Sequence, residues 1–478
     1  MVATWTSEQV IALAPDPASA KNGMGLATLS KWRSLGKTSQ VIWGECQGSG
    51  KDPYRTQVDL SEPAFKCSCP SRKFPCKHGI GLFLLLAEQP DTFQDSEPPE
   101  WVTDWLNSRA KREEKQKQKQ EQAAQPADPA AQAKRTAERY RKVTAGVKEL
   151  QLWLADLIRQ GLATVQAKPY SYWEQAAARA VDAQAPGIAR LIKDMAGIPY
   201  SGADWAERLL EQLSKLHLLL EGFQRLETLP SGVQADIRTQ MGWSQSQAEL
   251  LAEVEDGNGD SSRSRGSPPM PDLNLSVPPE KYNEKREDRK VERVVRDYWL
   301  VMGQSIEEEE KLRVSRSWLW GKQSDRPALI LQFAYGTQPF ELQIMPGTAF
   351  EAELAFYESA YPLRALIKTR YESVSSLDRM PGYQSIDDAI AAYHHALSCH
   401  IWLEKFPLTI AQVTLMPMES DNWSIRDRNG KILPIYVSSS NWSMHAVSGG
   451  HPITIFGEWN GRKFLPLSTY AFQKFHLF

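Results

Sequence analysis

Cys67-Ser-Cys69 and Cys76-Lys-His78 bring three thiols and an imidazole into one short stretch, the two pairs six residues apart. Thiolate sulfur and imidazole nitrogen are the donors that zinc prefers, and four of them complete its tetrahedron. Ligands two positions apart project the same way from extended chain, so each pair can grip an ion from one side. The six intervening residues let the chain turn back, and Pro70 and Pro75 stiffen that turn. Cys67, Cys69, Cys76 and His78 are therefore candidate ligands for one Zn2+ ion. A Cys3His shell is closed, whereas catalytic zinc keeps a position open for water or substrate. The ion is expected to be structural, worth several kcal/mol or more to the local fold.

The remaining cysteines, Cys46 and Cys399, make an odd total of five in a long chain. Three thiols close together in such a chain indicate a metal site in a reducing compartment, not a disulfide framework. Lys66, Arg72, Lys73 and Lys77 surround the ligands, and no acidic side chain occurs from Pro63 to Ala87. These cations fit two roles. They can contact phosphates, or they can offset the net negative charge of zinc with three thiolates.

The string CSCPSRKFPCKHGIGLFLLL, preceded by WGECQGSGKDPYRTQVDL, resembles the bacterial SWIM-type zinc finger proteins, whose pattern is C-x-C followed by C-x-H. The resemblance covers residues 38–90. It implies a ββα-like zinc module with Cys67 and Cys69 on the strand side and Cys76 and His78 on the helix side. It also implies a protein that binds DNA or another protein; RNA is a further candidate partner for the basic cluster.

Other chemical signals are weaker. Gly48-Ser-Gly-Lys51 is not a phosphate loop, because five residues and not four separate Gly44 from Gly50, and Asp52 follows the lysine. A hairpin turn accounts for it. His394, His395, Cys399 and His400 lack a complete ligand set, and core packing is expected for them. Glu307 to Glu310 form an acidic run expected in a solvated loop or at a helix start. No nucleophile elbow, metalloprotease helix or nucleotide fingerprint occurs, so the chain is expected not to be an enzyme.

Certain elements must position the site. Gln40–Cys46 and Tyr54–Leu60 read as strands of a hairpin, and Gly79–Glu88 as a helix packed on it. Residues 109–142 carry eleven basic and five acidic side chains without an apolar stripe. Further on, Leu150, Trp153, Leu154, Leu157 and Ile158 recur at helix spacing, as do Leu209, Leu210, Leu213, Leu216, Leu220 and Phe223. Residues 255–290 are rich in Pro, Ser and charge, which marks a disordered linker. Beyond them the pattern turns strand-rich. Asn429-Gly430 and Asn460-Gly461 signal hairpins whose turn residues both take positive φ. The runs NGKILPI and NGRKFLPL hint at a duplication. A helix over 386–406 interrupts the strands, with Ser385 as its cap and Asp388 in the first turn.

The expected architecture is multidomain α+β. It comprises an N-terminal zinc module over 1–106, a basic linker over 107–139, an all-α domain over 140–254, a disordered linker over 255–290, and a C-terminal strand-rich α+β domain over 291–478. Net charge is −2, so any polyanion contact must come from local patches. No apolar run spans a bilayer, and Met1 to Leu13 lacks the marks of a secretory signal, so a cytoplasmic location without membrane contact is expected. The function expected first is zinc-stabilised nucleic-acid binding; the alternative is a protein–protein adaptor with zinc as scaffold. Limited proteolysis should cut first within 255–285 and next near 109–132. Resistance at 255–285 would show that segment to be docked.

Overall fold

The computed structural model describes residues 5, 7–14, 17–48, 52–60, 64–71, 73, 75–109, 111, 129–243, 245–256, 293–309, 312–336, 338, 340–371, 375–418, 422–436 and 440–478. Both expected linkers fall largely outside these residues, as does the turn at 49–51. Among the described residues, no helix is long and apolar enough to cross a membrane.

The N-terminal module contains helices α1 (Ser7–Ala12) and α2 (Pro17–Met24) and strands β1 (Trp32–Lys37), β2 (Val41–Cys46), β3 (Tyr54–Asp59) and β4 (Ala64–Cys67). Helix α3 (Lys77–Glu88), strand β5 (Gln94–Asp95) and helix α4 (residues 100–109) complete it. The two strands expected over Gln40–Cys46 and Tyr54–Leu60 are β2 and β3 of a larger sheet ordered β4-β3-β2-β1-β5, in which β4, the strand that carries Cys67, lies beyond the expected pair. Alternation along β2 explains why both faces of the sheet are covered. Ile42 joins the core around α3, with Val58, Ile80 and Phe83. Val41 and Trp43 face α4 through Val102 and Trp105. Helix α3 is apolar nearly all round because α1 and α2 cover its far side, and Gly81 allows the close approach. A Cβ there would lie 2.7 Å from Leu26 Cβ.

A helical domain follows: α5 (Pro129–Gln160), α6 (Tyr170–Asp182), α7 (Pro186–Met195), α8 (Trp205–Gln224) and α9 (Ser231–Gln240). The expected stripes of Leu150, Leu154 and Leu157, and of Leu209, Leu213, Leu216, Leu220 and Phe223, form its core. Two members do not. Ile158 is 45% and Leu210 is 48% exposed. Both lie on one outer groove between α5 and α8, so the apolar stripe is wider than the face the bundle buries. Helix α10 (Gln247–Asp256) leaves the bundle and places Leu250 against Ala355 and Tyr357.

The C-terminal part is two closed sheets. The first contains β6 (Val294–Glu309), β7 (Leu312–Gly321), β8 (Pro327–Tyr335), β9 (Thr348–Phe356), β10 (Arg364–Arg370) and β11 (Ser375–Ser376). Helix α11 (Ile386–Cys399) leads to the second: β12 (Phe406–Pro417), β13 (Trp423–Arg426), β14 (Ile432–Ile435), helix α12 (Ser440–Ser448), β15 (Ile453–Trp459), β16 (Phe464–Ala471) and β17 (Lys474–Leu477). The first sheet runs β10-β8-β7-β6-β9-β11 and closes by β9–β10 pairing; the second runs β14-β13-β12-β15-β16-β17 and closes by β14–β16 pairing. Strands β6 to β10 and β12 to β16 thus follow one another around matching rings. In each ring the third strand pairs parallel with the fifth. What repeats is the strand order of the two barrels. NGKILPI and NGRKFLPL, the suspected repeat, belong to two hairpins of the second barrel.

Those hairpins also turn differently than expected. Gly430 and Gly461 have φ of 83° and 90°, but neither preceding asparagine has positive φ. Instead a side chain caps each turn. Asn460 Oδ1 accepts from the amides of Arg462 and Lys463 at 3.0 and 2.8 Å. Asp427 Oδ1 accepts from those of Asn429 and Lys431, each at 2.9 Å. Ser385 caps α11 as expected, accepting from Asp388 N at 3.1 Å. The helix stops at Cys399, not at Phe406. The following loop reaches over to the bundle, where Trp402 Nε1 donates to Lys215 O at 3.0 Å.

The acidic run is strand, not loop. Glu307 pairs with Val314 and Glu309 with Leu312, which continues β6; Glu310 lies outside the described residues. Burial pushes the Glu307 carboxyl up, but Lys405 and Arg316 outweigh it and hold the group below its usual range. His394 and His395 are exposed, contrary to the core packing expected, because the buried face of α11 runs through Ile386, Ala389, Tyr393 and Ala396.

Helix α7 packs against the end of α9 through Gly187, whose amide donates to Met241 O at 3.3 Å. A Cβ at Gly187 would lie 2.0 Å from Gln240 O, which is backbone and cannot swing aside. Gly187→Ala should therefore destabilise the bundle by about 1–3 kcal/mol. Thermal unfolding followed by circular dichroism tests this, and an unchanged midpoint would show that α7 and α9 have room to separate.

Candidate metal centre

Three elements deliver the four donors. Thr56 on β3 pairs with Cys67 at the end of β4, and its Oγ1 lies 3.2 Å from Cys67 Sγ. The ladder continues one residue further. Ser68 N donates to Arg55 O, and Arg55 N donates to Ser68 Oγ, both at 3.0 Å. These bonds fix the extended chain that carries Cys69. Cys76 occupies the N-cap of α3, and Ile80 N donates to its carbonyl at 3.1 Å. His78 sits in the first turn, buried, with its ring 5.0 Å from that of Tyr54 on β3.

All four ligand atoms lie within 4.8 Å of one another. His78 turns Nδ1 toward the sulfurs, 3.8 Å from Cys67 Sγ and 3.9 Å from Cys76 Sγ. A tetrahedral zinc ion with bonds of about 2.3 Å to sulfur and 2.0–2.1 Å to nitrogen would set that separation at about 3.6 Å. The donor set therefore fits a zinc-type ion with only small adjustments.

Electrostatics give the same answer. A hydrogen bond from Cys67 pulls the Cys76 thiol down to about 4 against the effect of burial, helped by His78 and the Gly79 amide. The same bond to Cys76, together with burial, pushes Cys67 far up, and burial pushes Cys69 up. One thiolate at the helix N-terminus is held by a proton on its neighbour. A divalent cation in the middle would replace that proton and let all three sulfurs ionise. Cys46 lies outside the quartet, and burial pushes its thiol up too.

Of the four basic residues expected around the ligands, Lys66, Lys73 and Lys77 are exposed and Arg72 is outside the described residues. Sequence reasoning missed Tyr54 and Thr56. Both stand on a strand read only as a hairpin arm, and nothing in their spacing marks them as neighbours of a ligand.

Comparison with known families gives two matches. Residues 54–87 match the SWIM zinc finger, and residues 138–241 match the SWIM-associated four-helix bundle domain. The first spans β3 through most of α3 and so contains every donor. The second covers most of α5 and all of α6 to α9. The chain thus contains a SWIM zinc finger, with a Cys3His metal-binding group of zinc type in it, and a SWIM-associated four-helix bundle domain. No curated protein and no solved structure matches it significantly.

Purified without chelator, the protein should contain one zinc per chain by elemental analysis. Cys76→Ser should abolish this and lower hydrogen-exchange protection over 64–88. The bundle and barrels should keep theirs, since their main cores lie apart from that of the zinc module. Loss of protection throughout would show that the ion stabilises the whole chain.

Proposed function

We propose that this protein is a zinc-stabilised nucleic-acid-binding protein in which Zn2+, held by Cys67, Cys69, Cys76 and His78, has a structural role. The observation that carries the reading is the exposure of Lys66, Lys73 and Lys77 around a centre whose donors are themselves half-buried or buried. Four ligands fill the shell, so the ion has no position at which to activate water. Its work is to hold the reversal between β4 and α3, and hence the cations carried on it. Cations held close together release counterions on meeting phosphates, which favours binding entropically at low salt.

A second reading, a protein–protein adaptor, is favoured by the groove between α5 and α8. Leu210 and Leu218 are 48% and 49% exposed there, beside Ile158. In that case the cations only offset the thiolates.

Replacing Arg72 and Lys73 with Ala separates the two readings. Under the first, affinity for oligonucleotides falls about uniformly across sequences. The slope of log affinity against log salt also flattens by about 0.7–0.9 per lost contact. Under the second, any oligonucleotide binding is unchanged and zinc affinity falls. Absence of binding by the parent protein at low salt would remove the nucleic-acid reading.

A further inference from the structure

Numbered around the first barrel, β6 to β10 are strands 1 to 5, and the ring runs 1-2-3-5-4-1 with strand 5 parallel to strand 3. The second barrel repeats this, with α12 between its third and fourth strands. This is the connectivity of the OB-fold, whose strand 2–3 face and adjoining loops receive oligonucleotides or oligosaccharides. Topology alone does not assign a ligand. The side chains on the corresponding face of the first barrel do.

That face is the outer side of β7 and β8. Ala328 and Ile330 point into the barrel, so Leu329, Leu331, Phe333 and Tyr335 point out. Phe333 and Tyr335 are 56% and 60% exposed and sit opposite Val314 and Leu312 on β7. Two consecutive outward aromatic positions on one strand, both uncovered, form a platform of the kind on which bases stack. Along the same face the platform leads past Leu331 and Arg316 into a cleft of about 660 Å³, walled by α9 and the loop after α11.

Charge in the cleft is balanced, with five basic and five acidic side chains along its walls, and most of it is paired. Asp236 accepts from Ala360 N at 3.0 Å and lies 2.9 Å from His400 Nδ1. Glu404 pairs with Arg190, and Glu253 with Arg293. Arg316 and Lys405 are matched by Glu307 and Glu458. Glu358, exposed at the mouth, and Glu249, which accepts from Ser246 N at 2.8 Å, have no cationic partner among the described residues. Arg364 and Arg238, however, have no carboxylate partner among the described residues. Arg364 lies over the Tyr357 ring at 4.3 Å, and the buried Tyr357 hydroxyl has no hydrogen-bond partner.

We propose that the outer face of β7 and β8, from Phe333 and Tyr335 into the cleft, binds single-stranded nucleic acid. Bases stack on the two exposed rings, and Arg364 and Arg238 meet the backbone phosphates. This site is separate from the zinc centre and stands whether or not the lysines there contact phosphates.

The test uses the full chain and labelled oligo-dT and oligo-rU strands of about 12 nucleotides, within the site size of one such barrel. Fluorescence anisotropy is followed against salt. Phe333→Ala and Tyr335→Ala should each weaken single-strand binding about tenfold, the effect of one lost stack. Arg364→Gln should flatten the salt slope by about 0.7. Both rings are exposed, so those variants should melt with the parent protein. Arg238→Gln, also exposed, repeats the charge test should Arg364→Gln fold poorly. The ratio of dT to rU affinity identifies the sugar preferred. Unchanged single-strand binding in the Phe333→Ala, Tyr335→Ala double variant would overturn the proposal. So would displacement of the strand by neutral maltohexaose, which would mark a sugar site. A variant with Lys66, Lys73 and Lys77 changed to Ala separates the two sites. If it alone loses binding, the zinc-centre reading stands and this one falls; if it binds normally while the ring variants do not, the reverse holds.

Discussion

Three thiols and an imidazole gathered within 4.8 Å of one another cannot all reach their binding forms without a cation among them. The hydrogen bond to Cys76 and burial push the Cys67 thiol up, burial pushes Cys69 up, and Cys76 at the start of α3 is left as the one favoured thiolate. The N-terminal module depends on relieving this. The donors sit on both sides of the connection between β4 and α3, Cys67 and Cys69 before it and Cys76 and His78 after it. An ion there clamps the first turn of α3 to the sheet edge. It thereby fixes the helix whose Ile80, Phe83 and Leu85 fill the module's core.

The C-terminal half solves a different problem, the exposed edges of two sheets. Each is closed by pairing its fifth strand to its third and fourth, which removes edges that would otherwise template other chains. The barrels then share a core. Leu300, Met302 and Trp318 of the first pack with Phe456 and Leu467 of the second, and Gly303 lets the two walls touch. Burial of Glu458 in that interface is tolerated because Trp318 Nε1 donates to it at 2.9 Å and Lys405 Nζ lies 3.0 Å away.

Features that local chemistry dictates could be read from the chain. The donor quartet, the Ser385 cap and the leucine stripes each depend on residues a few positions apart. What escaped the sequence depends on distant partners. Glu307 resembles a loop residue until Val314 supplies a ladder and Lys405 a countercharge. Ile158 and Leu210 fit their stripes perfectly well, and only the arrangement of α5 and α8 leaves them outside. Two Asn-Gly turns look alike within the second barrel. The true repeat lies in strand order, which survives when residues do not, and no short motif records it. The asparagines also misled over the turns themselves, because Asn460 acts there through its side chain and not through its backbone angles.

The first barrel is where the other parts meet. In its β8–β9 connection, Ile344 points into the barrel core while the adjacent Met345 enters the core of the zinc module. Its β9–β10 turn docks on α9 so closely that a Cβ at Gly232 would lie 2.8 Å from the backbone of Ser359 and Ala360. Its outer wall packs on the second barrel. A ligand on β7 and β8 would therefore touch the one element in contact with all three neighbours. Asp236 sits at the same junction: one carboxylate of α9 holds both the β9–β10 turn and His400 after α11. Because the bundle forms a wall of the cleft, its position decides how wide the cleft is. Were a ligand to bind there, the helical domain would have a physical role in that binding even where it contributed no contact of its own.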